Sequence, residues 1–201
     1  MAHGVLIASL LLCCIARTYY GSVLFPSLKT TLDVTASPKQ GQVLRGGVDK
    51  IIVTWGLNKT VPTGTDSAYK TIKVKLCYAP ASQHDRAWRK TEDNLSRDKT
   101  CQHKIVVRPY NKTVQSFEWV VERDVPTATY FVRAYAYDSN DFEVGYGQST
   151  DPKKSTNLFE VHAISGRHAS LDISSVCFNV FSVLSLFLFF YVEKRKGNAS
   201  M

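Results

Sequence analysis

The side chains best equipped for chemistry crowd one stretch, Leu76 to Cys101, which reads LCYAPASQHDRAWRKTEDNLSRDKTC. It opens like a β-strand and closes on a second cysteine, with a long polar, charge-laden run between. Of the five cysteines, Cys13 and Cys14 fall in an apolar run near the start and Cys177 in another near the end, so Cys77 and Cys101 are left to pair with each other. A staple closing a loop of about 25 residues is worth roughly 3 kcal/mol in chain-entropy terms. Catalytic patterns are missing: His84, His103, His162 and His168 are not at zinc-ligand spacing, no G-x-S-x-G or H-E-x-x-H occurs, and no glycine loop would cradle a phosphate. Blue copper needs a free Cys, two His and usually a Met. Met stands only at positions 1 and 201. The expectation is therefore no catalytic residue, no metal and no cofactor. Asn58, Asn94 and Asn111 each open an N-x-Ser/Thr sequon and are candidate glycosylation sites.

Both ends of the chain say where such a stretch would work. Val5 to Ile15 is an apolar run too short to cross a bilayer and the length of a secretory h-region, so residues 1–21 are expected to be a leader, cleaved after Ala16 or Gly21. Ile173 to Val192 carries no charge and is followed by Glu193, Lys194, Arg195 and Lys196. As a helix it is about 30 Å long, the thickness of a hydrocarbon core. The expectation is a single-pass type I membrane protein with residues 22–170 extracellular, a transmembrane helix over 171–192 and a cytoplasmic tail over 193–201. That tail argues against a glycolipid anchor, and the sequon at Asn198, lying inside, should stay unused. Ser175, Asn179 and Ser182 recur at i, i+4, i+7, a polar stripe suited to packing against other membrane helices.

The elements that must hold the stapled stretch read as strands. Period-2 alternation marks Thr31 to Thr35, Lys50 to Leu57, Tyr69 to Tyr78, His103 to Tyr110, Ser116 to Arg123, Thr129 to Asp138, Glu143 to Thr150 and Asn157 to Ile164, with Gly, Pro and Asp turns between. Short strands at that spacing mean an all-β antiparallel sandwich or an open barrel. The run VPTATYFVRAYAYDSNDFEVGYGQST is similar to the last two strands of a fibronectin type III domain, with Pro126 four residues before Tyr130. Tyr130 is thereby a candidate tyrosine-corner residue, and the fold class expected is an Ig-like sandwich.

In Tyr69 to Cys77 the apolar Ile72, Val74 and Leu76 point one way and Lys73 and Lys75 the other, which puts Cys77 outward with the lysines. Within the stretch, Asp85 stands at an N-cap position and Trp88, Glu92 and Leu95 fall on one helix face, so a two- to three-turn helix is expected inside the staple. Between Lys70 and Lys112 there are 11 Lys and Arg against 4 Asp and Glu. Nucleic acid is excluded by compartment. Such a patch suits anions, acidic glycans or an acidic partner surface.

Three longer runs, IKVKLCYAPASQHDRAWRKTEDNLSRDKTCQHKI, ERDVPTATYFVRAYAYDSNDFEVGYGQSTD and NLFEVHAISGRHASLDISSVCFNVFSV, resemble successive blocks of the plant high-affinity nitrate transporter-activating proteins, from about Tyr69 to Val192. The resemblance implies a non-enzymatic accessory subunit. It would bind a separate major-facilitator high-affinity nitrate transporter as a hetero-oligomer and support its residence and activity at the plasma membrane. It also places association with the carrier in RAWRKTEDNLSRDKTC, so that Arg89 and Asp98 are the carried-over positions. Arg86, Trp88 and Lys99 join them as candidate partner-binding residues, Arg86 and Arg89 offering forked donors and Trp88 apolar area. Arg89 and Asp98 either face the partner or pair with each other to hold the insert's shape. The sandwich alone would equally suit a cell-surface recognition module with an unidentified ligand, although the short tail supplies no signalling machinery.

Overall fold

The computed structural model describes residues 22–166 and 169–199; the expected leader lies outside them. Alternating sequence becomes nine strands among the described residues: β1 (Leu32–Ala36), β2 (Val43–Arg45), β3 (Lys50–Leu57), β4 (Thr71–Tyr78), β5 (His103–Pro109), β6 (Gln115–Val120), β7 (Ala128–Tyr137), β8 (Glu143–Gln148) and β9 (Phe159–His162). β1, β3 and β6 form one antiparallel sheet. The other has the order β2-β9-β7-β4-β5, with β8 also on β7.

The alternation decides what lies between the sheets. Leu32, Val34, Ile51, Val53, Trp55 and Trp119 from the first sheet meet Ile72, Val74, Leu76, Tyr130, Val132, Phe159 and Val161 from the second in one buried cluster. Full burial of such side chains contributes about 1.5–3 kcal/mol each. The Tyr130 hydroxyl donates to the Pro126 carbonyl at 2.6 Å, the tyrosine-corner bond that pins the entry into β7. The fold is thus the expected Ig-like sandwich.

One rim of the larger sheet is closed by the chain itself. Thr31 N donates to the Tyr146 carbonyl at 2.9 Å and Tyr146 N to the Lys29 carbonyl at 3.1 Å, so residues 29–31 lie along β8 before the chain crosses into β1. Close approach requires glycine here: a Cβ on Gly147 would run into the Leu32 carbonyl. β2 adds parallel to β9 on the same side. Among the described residues the opposite rim, β5, has no strand beyond it.

β7 reads ATYFVRAYAY, apolar or aromatic on both parities, and it is covered on both faces. Its outer face, Phe131, Arg133, Tyr135 and Tyr137, lies in register with Cys77, Lys75, Lys73 and Thr71 of β4. Cys77 is therefore on the lysine face, but it is fully buried rather than outward, because the insert and the N-terminal segment lie over that face.

A second compact unit begins at Ile164. It holds α1 (Ala169–Ala199), of which Ala169–Lys196 is long and apolar enough to cross a membrane.

Candidate interaction surface

The Cys77–Cys101 disulfide, S–S 2.04 Å, closes the insert. Just beyond it the two ends of the loop are tied by Tyr78 N donating to the Thr100 carbonyl at 2.9 Å. Pro80 starts a 3-10 turn, Pro80–Ser82, its fixed φ suiting a first helical position. Ser82 is buried, and its hydroxyl oxygen accepts from Thr129 N at 2.7 Å, which anchors the insert to the start of β7.

The two- to three-turn helix expected inside the staple does not form. Ala87–Arg89 makes a single 3-10 turn, and Asp85, at φ 56°, is in the left-handed region rather than at an N-cap. A helix so short is marginal unless packing holds it. Here the backbone groups of its second half find other partners. Phe25 N donates to the Asp93 carbonyl at 2.7 Å, Leu95 N to the Val23 carbonyl at 3.0 Å and Lys99 N to the Lys90 carbonyl at 3.0 Å.

Arg89 points inward. Only 6% of it is exposed; its guanidinium stacks over the Tyr78 ring at 4.4 Å, and Nη1 donates to the Ser82 carbonyl at 3.2 Å. Asp98 Oδ1 accepts from Thr100 Oγ1 at 2.6 Å, Thr100 N at 3.1 Å and Glu92 N at 3.3 Å. Each residue shapes the insert separately. No ion pair joins them among the described residues.

The other three candidates face solvent. Trp88 is 63% exposed, and Arg86 and Lys99 are exposed too. Gln102 Nε2 donates to the carbonyls of Trp88, at 2.5 Å, and Lys99, at 2.7 Å, so one side chain holds the two loops that carry them. His84 is 2.7 Å from Asp85, and Lys90 is 2.9 Å from Glu92. Among the described residues no carboxylate lies within ion-pair distance of Arg86 or Lys99. The insert therefore presents an exposed indole together with two exposed cations that have no carboxylate within ion-pair distance among the described residues.

Behind this rim the N-terminal segment straps the insert to the sheet. Leu24 bridges Asn94, and Phe25 stacks on Tyr146 with centroids 4.7 Å apart and on the Arg133 guanidinium at 4.5 Å. Sequence reasoning missed Phe25, Ser82 and Arg133. Desolvation lowers the pKa of Lys75, which sits opposite Arg133, and that of Lys154, where the Arg133 charge pushes the same way. It also lowers that of His103, whose ring lies beside Tyr78 with Nε2 3.2 Å from the hydroxyl. Among the described residues no group of His, Cys, Asp and Glu converges to hold a metal.

The sequon asparagines differ in setting. Asn111 is exposed, Asn58 is half-buried, and Asn94 donates from Nδ2 to the Ser22 hydroxyl at 3.0 Å within the seam. In the second unit Ser175, Asn179 and Ser182 lie on α1, all exposed.

The family described as "High-affinity nitrate transporter accessory, Ig-like domain" matches residues 25–166. High-affinity nitrate transporter 3.1 of Arabidopsis thaliana is 56% identical over 200 residues, covering 96% of this chain and 95% of that one. High-affinity nitrate transporter 3.2 of the same plant is 51% identical over 200 residues, covering 97% and 96%. High-affinity nitrate transporter-activating protein 2.1 of Oryza sativa subsp. japonica is 49% identical over 174 residues, covering 87% and 82%.

Proposed function

The chain belongs to the high-affinity nitrate transporter accessory family, and on that premise we propose that it is the non-enzymatic subunit that binds a multi-spanning, major-facilitator high-affinity nitrate carrier. Its role in nitrate transport is accessory. The one candidate membrane helix among the described residues cannot enclose a path with a binding site at the midplane of several helices, so the carrier moves the anion and this chain supports it.

The observation that carries the reading is the division of labour within the insert. Arg89 and Asp98 are spent on its interior, while Arg86, Trp88 and Lys99 stand outward with no carboxylate within ion-pair distance among the described residues. An aromatic anchor with flanking forked or ammonium donors is the composition of a binding hot spot. The partner surface that complements it is an acidic extracellular loop of the carrier with an apolar slot for the indole. Arg89 and Asp98 then act as positioning residues. The stripe of Ser175, Asn179 and Ser182 supplies a second contact, packing α1 against carrier helices, where an amide and two hydroxyls find partners that lipid cannot offer. The chain sits in the plasma membrane as a type I protein with the sandwich outside. Glycans on Asn58, Asn94 and Asn111 would fit that orientation.

Co-expression in oocytes with and without a candidate carrier tests this, measuring labelled nitrate uptake at low concentration together with capture of the carrier by this chain. Uptake above carrier alone, with capture, is expected. Uptake by this chain alone, or no gain over the carrier alone, would overturn it.

A further inference from the structure

We propose that Cys101 is a site of thiol–disulfide exchange with small-molecule thiols of the glutathione class, so that the staple under the docking insert opens and recloses with the surrounding thiol balance. The starting observation is Arg133. It is 1% exposed, yet among the described residues no carboxylate lies within ion-pair distance of its guanidinium. Nη1 donates to the Tyr135 hydroxyl at 3.0 Å and Nη2 to Gln148 Oε1 at 2.9 Å, while Nε has no partner. Aromatic rings of Phe25 and Phe131 close over the rest. The carboxylates whose fields reach this face are Glu143, Asp98 and Asp141, and each is engaged elsewhere: Glu143 Oε1 accepts from the Tyr137 hydroxyl, Asp98 Oδ1 from Thr100 and Glu92 N, and Asp141 pairs with Lys73.

A charge held this deep without a counter-charge is costly. The sulfur nearest to it is Cys101 Sγ, 3.9 Å from Arg133 Nη1 and 4.0 Å from the Tyr135 hydroxyl. In the disulfide that sulfur is a neutral, weak acceptor. As a thiolate it supplies the missing negative charge, with the guanidinium and the phenol O–H both donating to it. Cations beside a cysteine lower its pKa, and a disulfide whose reduced form is stabilised is the more easily reduced one. Cys101 is partly exposed while Cys77 is fully buried, so an incoming thiolate meets Cys101 first.

The exchange runs in two steps. The thiolate of the small thiol attacks Cys101 Sγ, forming a mixed disulfide, and Cys77 leaves as a thiolate that takes up a proton. A second small thiolate then attacks the outer sulfur of that mixed disulfide. The small symmetrical disulfide departs and Cys101 is released as the thiolate that Arg133 and Tyr135 hold. Two thiols have been oxidised and one protein disulfide reduced. With the loop freed, Arg86, Trp88 and Lys99 lose their fixed spacing; this consequence rests on the carrier-binding reading above.

The test uses the full chain in lipid nanodiscs, carrying Cys13→Ala, Cys14→Ala and Cys177→Ala so that only the staple responds. Alkylation of the reduced protein as a function of pH should show Cys101 titrating at least one unit below the ordinary thiol value of about 8.5. In glutathione buffers, Arg133→Gln should move the equilibrium roughly tenfold toward the disulfide, about 30 mV, and Tyr135→Phe should move it the same way by less. Tyr135→Phe keeps the ring, so it decides the matter if Arg133→Gln does not fold. A Cys101 thiol titrating at or above the ordinary value, or an equilibrium unmoved in folded variants, would overturn the proposal. A separate arm compares carrier capture by oxidised and reduced chain. Capture by the oxidised form alone supports the gating. Equal capture by both refutes it, and no capture by either sinks the docking reading while leaving the exchange chemistry standing.

Discussion

Arg89→Ala separates a residue that shapes the insert from one that touches the carrier. In the structure its side chain gives one charged hydrogen bond to the Ser82 carbonyl and one stack on Tyr78. A hydrogen bond to a charged group is worth about 1.5–3 kcal/mol and a desolvated cation–π contact about 1–2 kcal/mol. Against these stands the relief of desolvating a guanidinium whose Nε is buried without a partner. A net local loss of about 2 kcal/mol is expected, which raises the open population of the insert roughly thirtyfold. Hydrogen exchange reads this directly. Amides with acceptors inside the insert, such as those of Arg89, Lys90 and Lys99, should exchange about thirty times faster, while those of β3 and β6 should not change. Carrier capture should weaken only as far as the closed fraction of the insert falls. Arg89→Lys should fall between, since an ammonium reaches one acceptor but cannot stack as a plane. Normal exchange combined with lost capture would refute the reasoning, because Arg89 would then be contacting the partner itself.

Trp88→Ala should do the reverse, leaving the melting temperature within the small range of a surface substitution while weakening capture by tenfold or more. Tyr130→Phe removes the bond to the Pro126 carbonyl and should cost about 1–2 kcal/mol in urea unfolding, without changing capture by the folded chain. Gly147→Ala should fold poorly, and circular dichroism should show a larger loss than for Gly41→Ser, where φ of +72° strains a side chain but a Cβ meets nothing. Desolvation first, then the nearby Arg89 charge, holds the His103 pKa below its ordinary 6.5. Its contribution to stability is thus complete above pH 6.5 and is lost as pH falls through the lowered folded value. A melting-temperature series from pH 8 to pH 5 should fall less steeply for His103→Gln.

Eight strands were legible from alternation and from the turns that bound them, and their ends moved by three residues at most. β2 was not. Val43–Arg45 is too short for a period, and its partner β9 lies more than a hundred residues onward. The insert's disulfide was legible by cysteine arithmetic, whereas its conformation was not: the Trp88, Glu92, Leu95 spacing looks helical, but Val23 and Phe25, far away in sequence, take the backbone bonds a helix would have used. Arg133 left a signal that went unread. A strand apolar on both parities is covered on both faces, so its one charged residue had to be buried.

The free rim along β5 has a consequence for how copies of the chain meet one another. Exposed strand edges invite a second copy to add on and continue as a fibre. β5 carries exposed Lys104 and Arg108 and ends in Pro109, which lacks the N–H that an added strand would need. The opposite rim of that sheet is lined by residues 29–31 and β2, so along β5 the larger sheet offers a neighbour only a charged edge that ends in proline.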